Sequence, residues 1–409
     1  MPKIEIHDFG PIKAGSLDVS RVTVFVGNQG SGKSTVAKLI STFLWMEKVL
    51  VRGDYTKDHL TAENFIAERL SYHRLSGYSK SATKLIYEGM VYRFAYENDK
   101  LHIDELNTAH YILPHIMYVP AERGIVASVG NAAKLKNISG ALSEFITEYG
   151  YAREALSDSV KLPINETSAE YDRTSGTIYI CGNDYRVSLA DAASGFQSLV
   201  PLYLVSQYLC NSVKSVKSSG SMSSDEKRRF EKQLEEIAGD PNLNEEQKRI
   251  ARSSLGKKYN KAAFVNIVEE PELNLSPNAQ KRFLYELLKL NNAVRKNETD
   301  AQNKVIITTH SPYLMNFLSI SIHGKALSEK INSFGKTELL KELSAIVPLG
   351  ALTANDDVSI YQLDETKGHI SKLPSPHGIP SDDNFLNNML GQGNDEFDAL
   401  LEIEEKLEC

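Results

Sequence analysis

The sequence predicts an α/β fold: a mixed sheet with an antiparallel β flank, a helical lobe and a charged helical insertion. Three observations carry that expectation. An apolar run at residues 21–26 stops at Gly27, and a glycine-rich loop then opens a helix at Lys33. Two further apolar runs, 264–268 and 304–309, flank a segment of helical periodicity at 278–291, the alternation of a parallel sheet. Ahead of them, residues 84–96 alternate apolar and polar side chains, as an antiparallel hairpin with one wet face does.

Composition narrows the class. The chain has 409 residues, more than one hydrophobic core fills, so a single body of 1–409 carrying an insertion is expected. Its parts are read as a first lobe with the β flank (1–120), a helical lobe (121–210), an inserted charged hairpin (211–262) and a closing half with a C-terminal extension (263–409). Apolar content of 41% and charged content of 24% are ordinary for globular chains, against disorder and membrane classes. Cys181, Cys210 and Cys409 have neither the count nor the spacing of a disulfide framework or zinc site, which suits a reducing, cytoplasmic compartment. The N-terminus lacks an apolar h-region and no run is fit to span a bilayer, so no membrane partner is expected. A net charge of −7 argues against a uniformly basic nucleic-acid binder.

The remaining elements follow in order. Residues 3–7 and 16–18 read as short strands before 21–26, and 115–119 as a buried strand closed by Pro120. Residues 139–160 space Leu142, Phe145, Ile146, Tyr149 and Ala152 as a helix does, and 177–187 form strands about the turn Gly182-Asn183-Asp184. An apolar helix runs over 196–210. Composition then shifts to a Ser/Lys/Gly-rich stretch (212–224) and two charged helical segments, 225–238 and 244–254. Residues 211–261 hold 12 basic and 8 acidic side chains, a net +4 in an acidic chain, so this hairpin is a solvated surface or a docking face for nucleic acid or an acidic partner. No internal repeat is apparent.

Four motifs carry chemistry. Gly27-Asn28-Gln29-Gly30-Ser31-Gly32-Lys33-Ser34-Thr35 matches G-x-x-x-x-G-K-[ST] between a strand and a helix. Its glycines let backbone N–H groups wrap phosphates at the positive end of the helix; Lys33 reaches the β and γ oxygens, Ser34 binds Mg²⁺, and Thr35 adds an α-phosphate contact. The run 264–268 ends in Glu269-Glu270-Pro271-Glu272, carboxylates placed to serve Mg²⁺ (Glu269) and to polarise an attacking water (Glu270). Between the two lies Ser194-Gly195-Phe196-Gln197 at the start of the apolar helix, a pattern that alone reads as an N-cap. Last, His310 ends the strand 304–309, where a lone histidine is usually solvent-facing and inert; only its place in the ordered series of motifs gives it the role of γ-phosphate sensor.

Taken in this order, the motifs resemble Walker A, signature, Walker B and switch histidine of ABC and SMC-head ATPases, P-loop NTPases of ABC type. The opening phrase, Tyr118-Val119-Pro120-Ala121-Glu122-Arg123, the Glu-Glu-Pro-Glu form of Walker B followed by Leu275 and Pro277, and Thr309-His310-Ser311-Pro312 resemble OLD-type and related AAA-labelled ATPases of bacterial anti-phage systems, with PARIS, Septu-type and retron-linked members nearest. The closing phrase Asp395 to Leu401 is similar to that of standalone members. The resemblance implies ATP and Mg²⁺ as ligands, and ATP hydrolysis catalysed by Lys33, Glu270 and His310. It also implies a homodimer or larger homo-oligomer in which Ser194, Gly195 and Gln197 act on the nucleotide of the other copy.

The departures from the pattern imply slow turnover: Glu269 stands for the usual Asp, the signature lacks its second glycine, and Ser276 replaces the D-loop Asp. No clear Q-loop glutamine is present; Glu122 or Arg123 takes its place. A Toprim domain is missing, since Asp356-Asp357 does not supply its acidic pattern. The implied function is a sensor or scaffold ATPase that controls a separate effector, a Toprim or HNH nuclease, on a nucleic-acid or phage-protein trigger. An SMC or recombination head that clamps DNA directly is the alternative, and it would need a long heptad coiled coil that the sequence lacks. A transporter subunit would need the full signature and a Q-loop.

Overall fold

In the computed structural model, residues 1–106, 111–129, 135–214, 224–241, 244, 247–249, 251–252, 255, 262–293 and 303–408 are described. The strands are β1 (Lys3–Phe9), β2 (Ile12–Asp18), β3 (Val22–Gly27), β4 (Lys84–Glu88), β5 (Tyr92–Glu97), β6 (Lys100–Glu105), β7 (Pro114–Val119), β8 (Val160–Lys161), β9 (Ser168–Asp172), β10 (Thr177–Cys181), β11 (Arg186–Ser188), β12 (Ala263–Glu269), β13 (Lys304–Thr309), β14 (Val358–Asp364) and β15 (His369–Lys372). Strands apolar on both faces need cover on both, and these became the parallel centre of the large sheet, β14-β3-β13-β12-β7. Strands that alternate became the antiparallel flank, β6-β5-β4-β1-β2, which joins the centre through β15. The result is the mixed α/β sheet that the sequence predicts, with a separate four-stranded sheet, β11-β10-β9-β8.

The helix Lys33–Arg52 follows the glycine loop and ends at Gly53, whose φ of 72° closes it in the left-handed conformation. It packs between the parallel centre and the flank, where Phe43 stacks on Phe65 and Tyr87. Helices Pro277–Asn292 and Pro312–Ser333 cover the opposite face; each starts with a capping serine, Ser276 or Ser311, followed by proline at the first position. The helices Gly140–Glu154 and Ser194–Lys214 share one core with the small sheet, around Phe145, Ile180 and Leu199.

Some boundaries differ from the sequence reading. The helix expected to reach residue 160 ends at Glu154, because Ser157, Asp158 and Ser159 favour a turn and Val160 enters β8. The hairpin at 84–96 gains a third strand, β6, which is too polar to read as a strand on its own. The first charged segment of the insertion is the helix Ser224–Gly239, while 215–223 and most of 242–261 lie outside the described residues. Among the described residues, no helix is long and apolar enough to cross a membrane, and no cluster of His, Cys, Asp and Glu could hold a metal ion.

Glu47 ties the helix to the flank. Its buried carboxyl accepts from the Val91 and Tyr92 amides at 2.7 and 3.2 Å and from the Tyr87 hydroxyl at 3.3 Å. Burial nevertheless raises its pKa above the ordinary carboxylate value. The folded state therefore binds this proton more readily than the unfolded chain, and stability falls as pH rises through the window above the ordinary value. Glu47→Ala should cost about 2–3 kcal/mol by orphaning the hairpin amides, whereas Glu47→Gln keeps an acceptor, costs little and flattens the pH dependence. Urea unfolding between about pH 5 and pH 8 measures this; equal losses in the two variants would refute it.

Candidate functional site

The glycine loop has the backbone that its sequence calls for. Gly27, Gly30 and Gly32 take φ values of 147°, 80° and 100°. A side chain at Gly27 would place its Cβ 2.5 Å from the Leu363 carbonyl oxygen of β14, so the close passage of that strand demands glycine. Asn28, Gln29 and Gly30 are exposed, Ser34 is half-buried and Thr35 buried. Lys33 folds back to donate to the carbonyls of Gly27 at 2.9 Å and Asn28 at 2.7 Å. Burial pulls its pKa down to about 8, against the upward pull of Glu270, Glu272 and Glu365. The Ser31 hydroxyl is buried with no partner. Glu365, just past β14, accepts from the Asn28 amide at 2.7 Å.

Glu269 and Glu270, adjacent in sequence, face different neighbours. Glu269 is buried; its carboxylate accepts from the Tyr118 hydroxyl at 2.6 Å and the Ala121 amide at 3.0 Å, with Lys38 at 3.8 Å. Lys38 follows Ser34 by one helical turn, so the two lie on one helix face. Each Glu269 oxygen keeps a lone pair after these bonds. Glu270 instead lies 3.6 Å from His310 Nε2. Its φ of 44° is left-handed, a costly conformation for a side chain before proline, and its amide bonds the Thr308 carbonyl at 2.9 Å.

His310 bridges the end of β13 and the serine cap of the next helix. Glu272 positions it by accepting from the Thr309 hydroxyl at 2.8 Å and the His310 amide at 2.7 Å. Burial raises the Glu272 pKa, and the other carboxyl oxygen has no partner. For His310 the shift is downward: burial first and the Lys33 charge next lower it, opposed by Glu270 and a backbone hydrogen bond at Gly27. Lys33, Glu270 and His310 thus come together beside Gly27, with His310 neutral at physiological pH.

Arg123 binds these parts to the helical lobe. Fully buried after β7, it donates to four backbone carbonyls: Ser198 at 3.0 Å, Pro120 at 3.3 Å, Glu269 at 2.6 Å and Glu270 at 2.6 Å. Burial pulls it down to about 10, while Glu272, Glu270 and Glu269 hold it up, so it remains a cation. Ser198 belongs to the helix that Ser194 opens.

The Ser194 segment stands apart from the loop. Ser194 is exposed at the helix start, and Gly195 lies against the chain after β12, where an added Cβ would come 2.8 Å from the Asn274 carbonyl oxygen. Gln197 turns inward, its amide donating to the carbonyls of Ala190 at 2.8 Å and Ala192 at 3.0 Å. Among the described residues, no hydrogen bond or ion pair joins Ser194, Gly195 or Gln197 to residues 27–35 of the same chain.

In the sequence Tyr118 and Glu272 stand within longer recognisable phrases that give neither a role, and Lys38 and Glu365 stand in no motif. Only Glu272 carried a signal, as the last glutamate of the Glu-Glu-Pro-Glu run, directly after the proline. Ser276, weighed as a D-loop position, caps a helix.

Replacing Arg123 with Lys keeps the charge but loses the planar fork that spans four carbonyls. Arg123→Lys should lower stability by about 3 kcal/mol, read as a shifted urea midpoint. An unchanged midpoint would show that the carbonyls find other donors.

Residues 265–316 match a family model described as "AAA domain, putative AbiEii toxin, Type IV TA system". No curated protein matches the chain. Among solved structures, the chain is similar to the SMC head domain from Thermotoga maritima (11% identity, TM-score 0.39, covering 91% of this chain and 97% of that one). It is also similar to a dimeric ATP-binding cassette in a post-hydrolysis state bound to ADP and Pi (12%, 0.27, 91% and 99%) and to the recombination mediator protein RecF (12%, 0.30, 91% and 97%).

Proposed function

We propose that this chain binds and hydrolyses ATP at the loop 27–35, and that two copies pair to complete each site. The meeting of Lys33, Glu270 and His310 beside Gly27 carries the reading. The residues suit a triphosphate. Lys33 has only carbonyls to bond and can exchange them for phosphate oxygens, the orphaned Ser31 hydroxyl faces the same loop, and the glycines leave backbone N–H groups open at a helix N-terminus. Mg²⁺ would be held by Ser34 with Glu269 behind it, neutralising charge on the phosphates. Glu270 orients and polarises the attacking water, and neutral His310 donates toward the γ-phosphate region. The family match supports this part, since 265–316 contains Glu269, Glu270, Glu272 and His310.

Pairing follows from the place of Ser194. An exposed hydroxyl at a helix N-terminus is a site for negative charge, and within its own chain it bonds nothing in residues 27–35. A second copy facing the first supplies that charge as its γ-phosphate. Gln197 then shapes the turn 190–192, while Ser194 and Gly195 make the contact. The finer role, an ATPase that controls a separate nuclease effector in an anti-phage module, rests on the sequence resemblance; an adjacent Toprim or HNH nuclease gene would support it.

Three substitutions test the mechanism. Lys33→Ala should abolish binding of labelled ATP. Ser194→Arg should leave binding intact but stop ATP-dependent pairing and turnover. Glu270→Gln should bind ATP, hydrolyse it slower by about 10² or more, and accumulate as a paired form seen by light scattering with ATP and Mg²⁺. Wild-type phosphate release by Glu270→Gln would overturn the role given to Glu270, and normal hydrolysis by Ser194→Arg would overturn pairing.

A further inference from the structure

The helix Phe385–Glu408 is anchored at its first turn. Gln362 of β14 accepts from the Phe385 amide at 2.9 Å, and the Asn384 side chain caps the helix by accepting from the Leu386 and Asn387 amides at 3.1 and 3.2 Å. Leu386 joins the core around Val24 and Ile360, with Phe385 packed against it. Beyond that turn the helix leaves the body: every side chain from Asn388 to Glu404 is exposed, over about 25 Å of axis. A helix this long is marginal alone in water, and Gly391 and Gly393 weaken it further.

Its exposed surface is apolar on one side. Met389, Leu390, Phe397, Leu400, Leu401 and Ile403 are each 43–62% exposed. At about 100° per residue they fall within one arc of roughly 160°. Asp395, Asp398 and Glu402 fall on the opposite side. Six large side chains of about 200 Å² each, half exposed, leave roughly 600 Å² per copy. Two such faces together would bury about 1,200 Å², which reaches the size of a stable interface. Residues 388–404 hold five carboxylates and no cation, unlike the Lys/Arg-rich helices that lie on membranes.

The order of the side chains identifies what covers the face. The pattern is mirror-symmetric about Asp395: Met389 and Leu390 lie as far before it as Leu401 and Leu400 lie after it, and Gly393 as far before it as Phe397 after it. A two-fold antiparallel pair requires this, because each residue must match its mirror position in the other copy; a groove on an unrelated protein does not. Gly393 sits at the middle of the apolar arc, and a Cβ added there meets nothing within 4 Å, so the Phe397 ring of another copy has room. Charge selects the same arrangement. In the antiparallel register Glu396, Asp398 and Glu402 lie level with Asn394, Gln392 and Asn388, whereas a parallel pair sets all five carboxylates level with their own copies.

We propose that the helix Phe385–Glu408 is a self-association surface, on which two copies pair antiparallel about Asp395 with Leu390 against Leu400, Met389 against Leu401 and Phe397 over Gly393. The contact uses no residue of the loop 27–35 or of the Ser194 segment, so it forms without nucleotide.

Sedimentation velocity of the full chain carrying Lys33→Ala, without nucleotide and over a concentration series, tests this apart from any ATP-driven pairing. The chain should dimerise as concentration rises. Leu400→Glu, and separately Gly393→Phe, which fills the space meant for Phe397, should each weaken the dimer at least tenfold. Both positions are exposed, so the urea midpoint of the monomer should hold; Gly391→Ala, on the opposite side, should not weaken the dimer. The register has its own readout: Leu390→Glu and Leu400→Lys should each dimerise poorly alone and recover dimer when mixed, since the new charges then face each other. A monomer at every concentration would mean that a different protein covers the face, and a dimer indifferent to Leu400→Glu and Gly393→Phe would place pairing elsewhere. Either result, or no recovery on mixing, would overturn the proposal.

Discussion

One buried guanidinium holds the candidate site together. Arg123 is sealed from water and keeps its charge by bonding carbonyl oxygens from the turn after β7, from both residues at the end of β12 and from the helix that Ser194 opens. A buried cation bonded to several neutral dipoles fixes their relative positions more firmly than apolar packing does, because each carbonyl would be left unbonded by a small shift. The exposed Ser194 end of the helix is thereby linked, through one side chain, to the carboxylates at the sheet edge.

The turn at Glu270 shows what that bracing sustains. A glutamate before a proline does not choose a φ of 44°; the conformation costs about 1–2 kcal/mol and persists because Arg123 grips its carbonyl while Thr308 receives its amide proton. The strain separates two neighbouring carboxylates, Glu269 toward Tyr118 and Glu270 toward His310. Glu272, in the turn after β12, closes the arrangement by accepting from the His310 amide just past β13. Two acids adjacent in sequence can therefore serve different partners.

Much of this was legible in the sequence. Runs apolar on both faces, such as 264–268, announced the parallel centre because period-independent burial leaves few alternatives, and the glycine loop announced its backbone because only glycine tolerates three positive φ values in six residues. What stayed hidden depends on long-range contact. β6 is polar and exists only through pairing with β5; Tyr118 meets Glu269 across more than a hundred residues; Arg123 reads, with Glu122, as a stand-in for the Q-loop glutamine, and nothing local shows that it would be swallowed whole. The direction of Gln197 was equally unreadable, since an amide at a helix start can face out or curl back on the preceding turn.

The resting position of Lys33 has a further consequence. With its ammonium bonded to two carbonyls and burial pulling its pKa down to about 8, Lys33 gives up its charge more readily in alkaline solution than an exposed lysine does. An arriving polyanion stabilises the charged form, so occupation of the loop takes up protons from solution at alkaline pH and fewer as the pH falls. Ligand affinity then weakens as the medium becomes more alkaline, and the heat of association depends on the ionisation enthalpy of the buffer that gives up the proton.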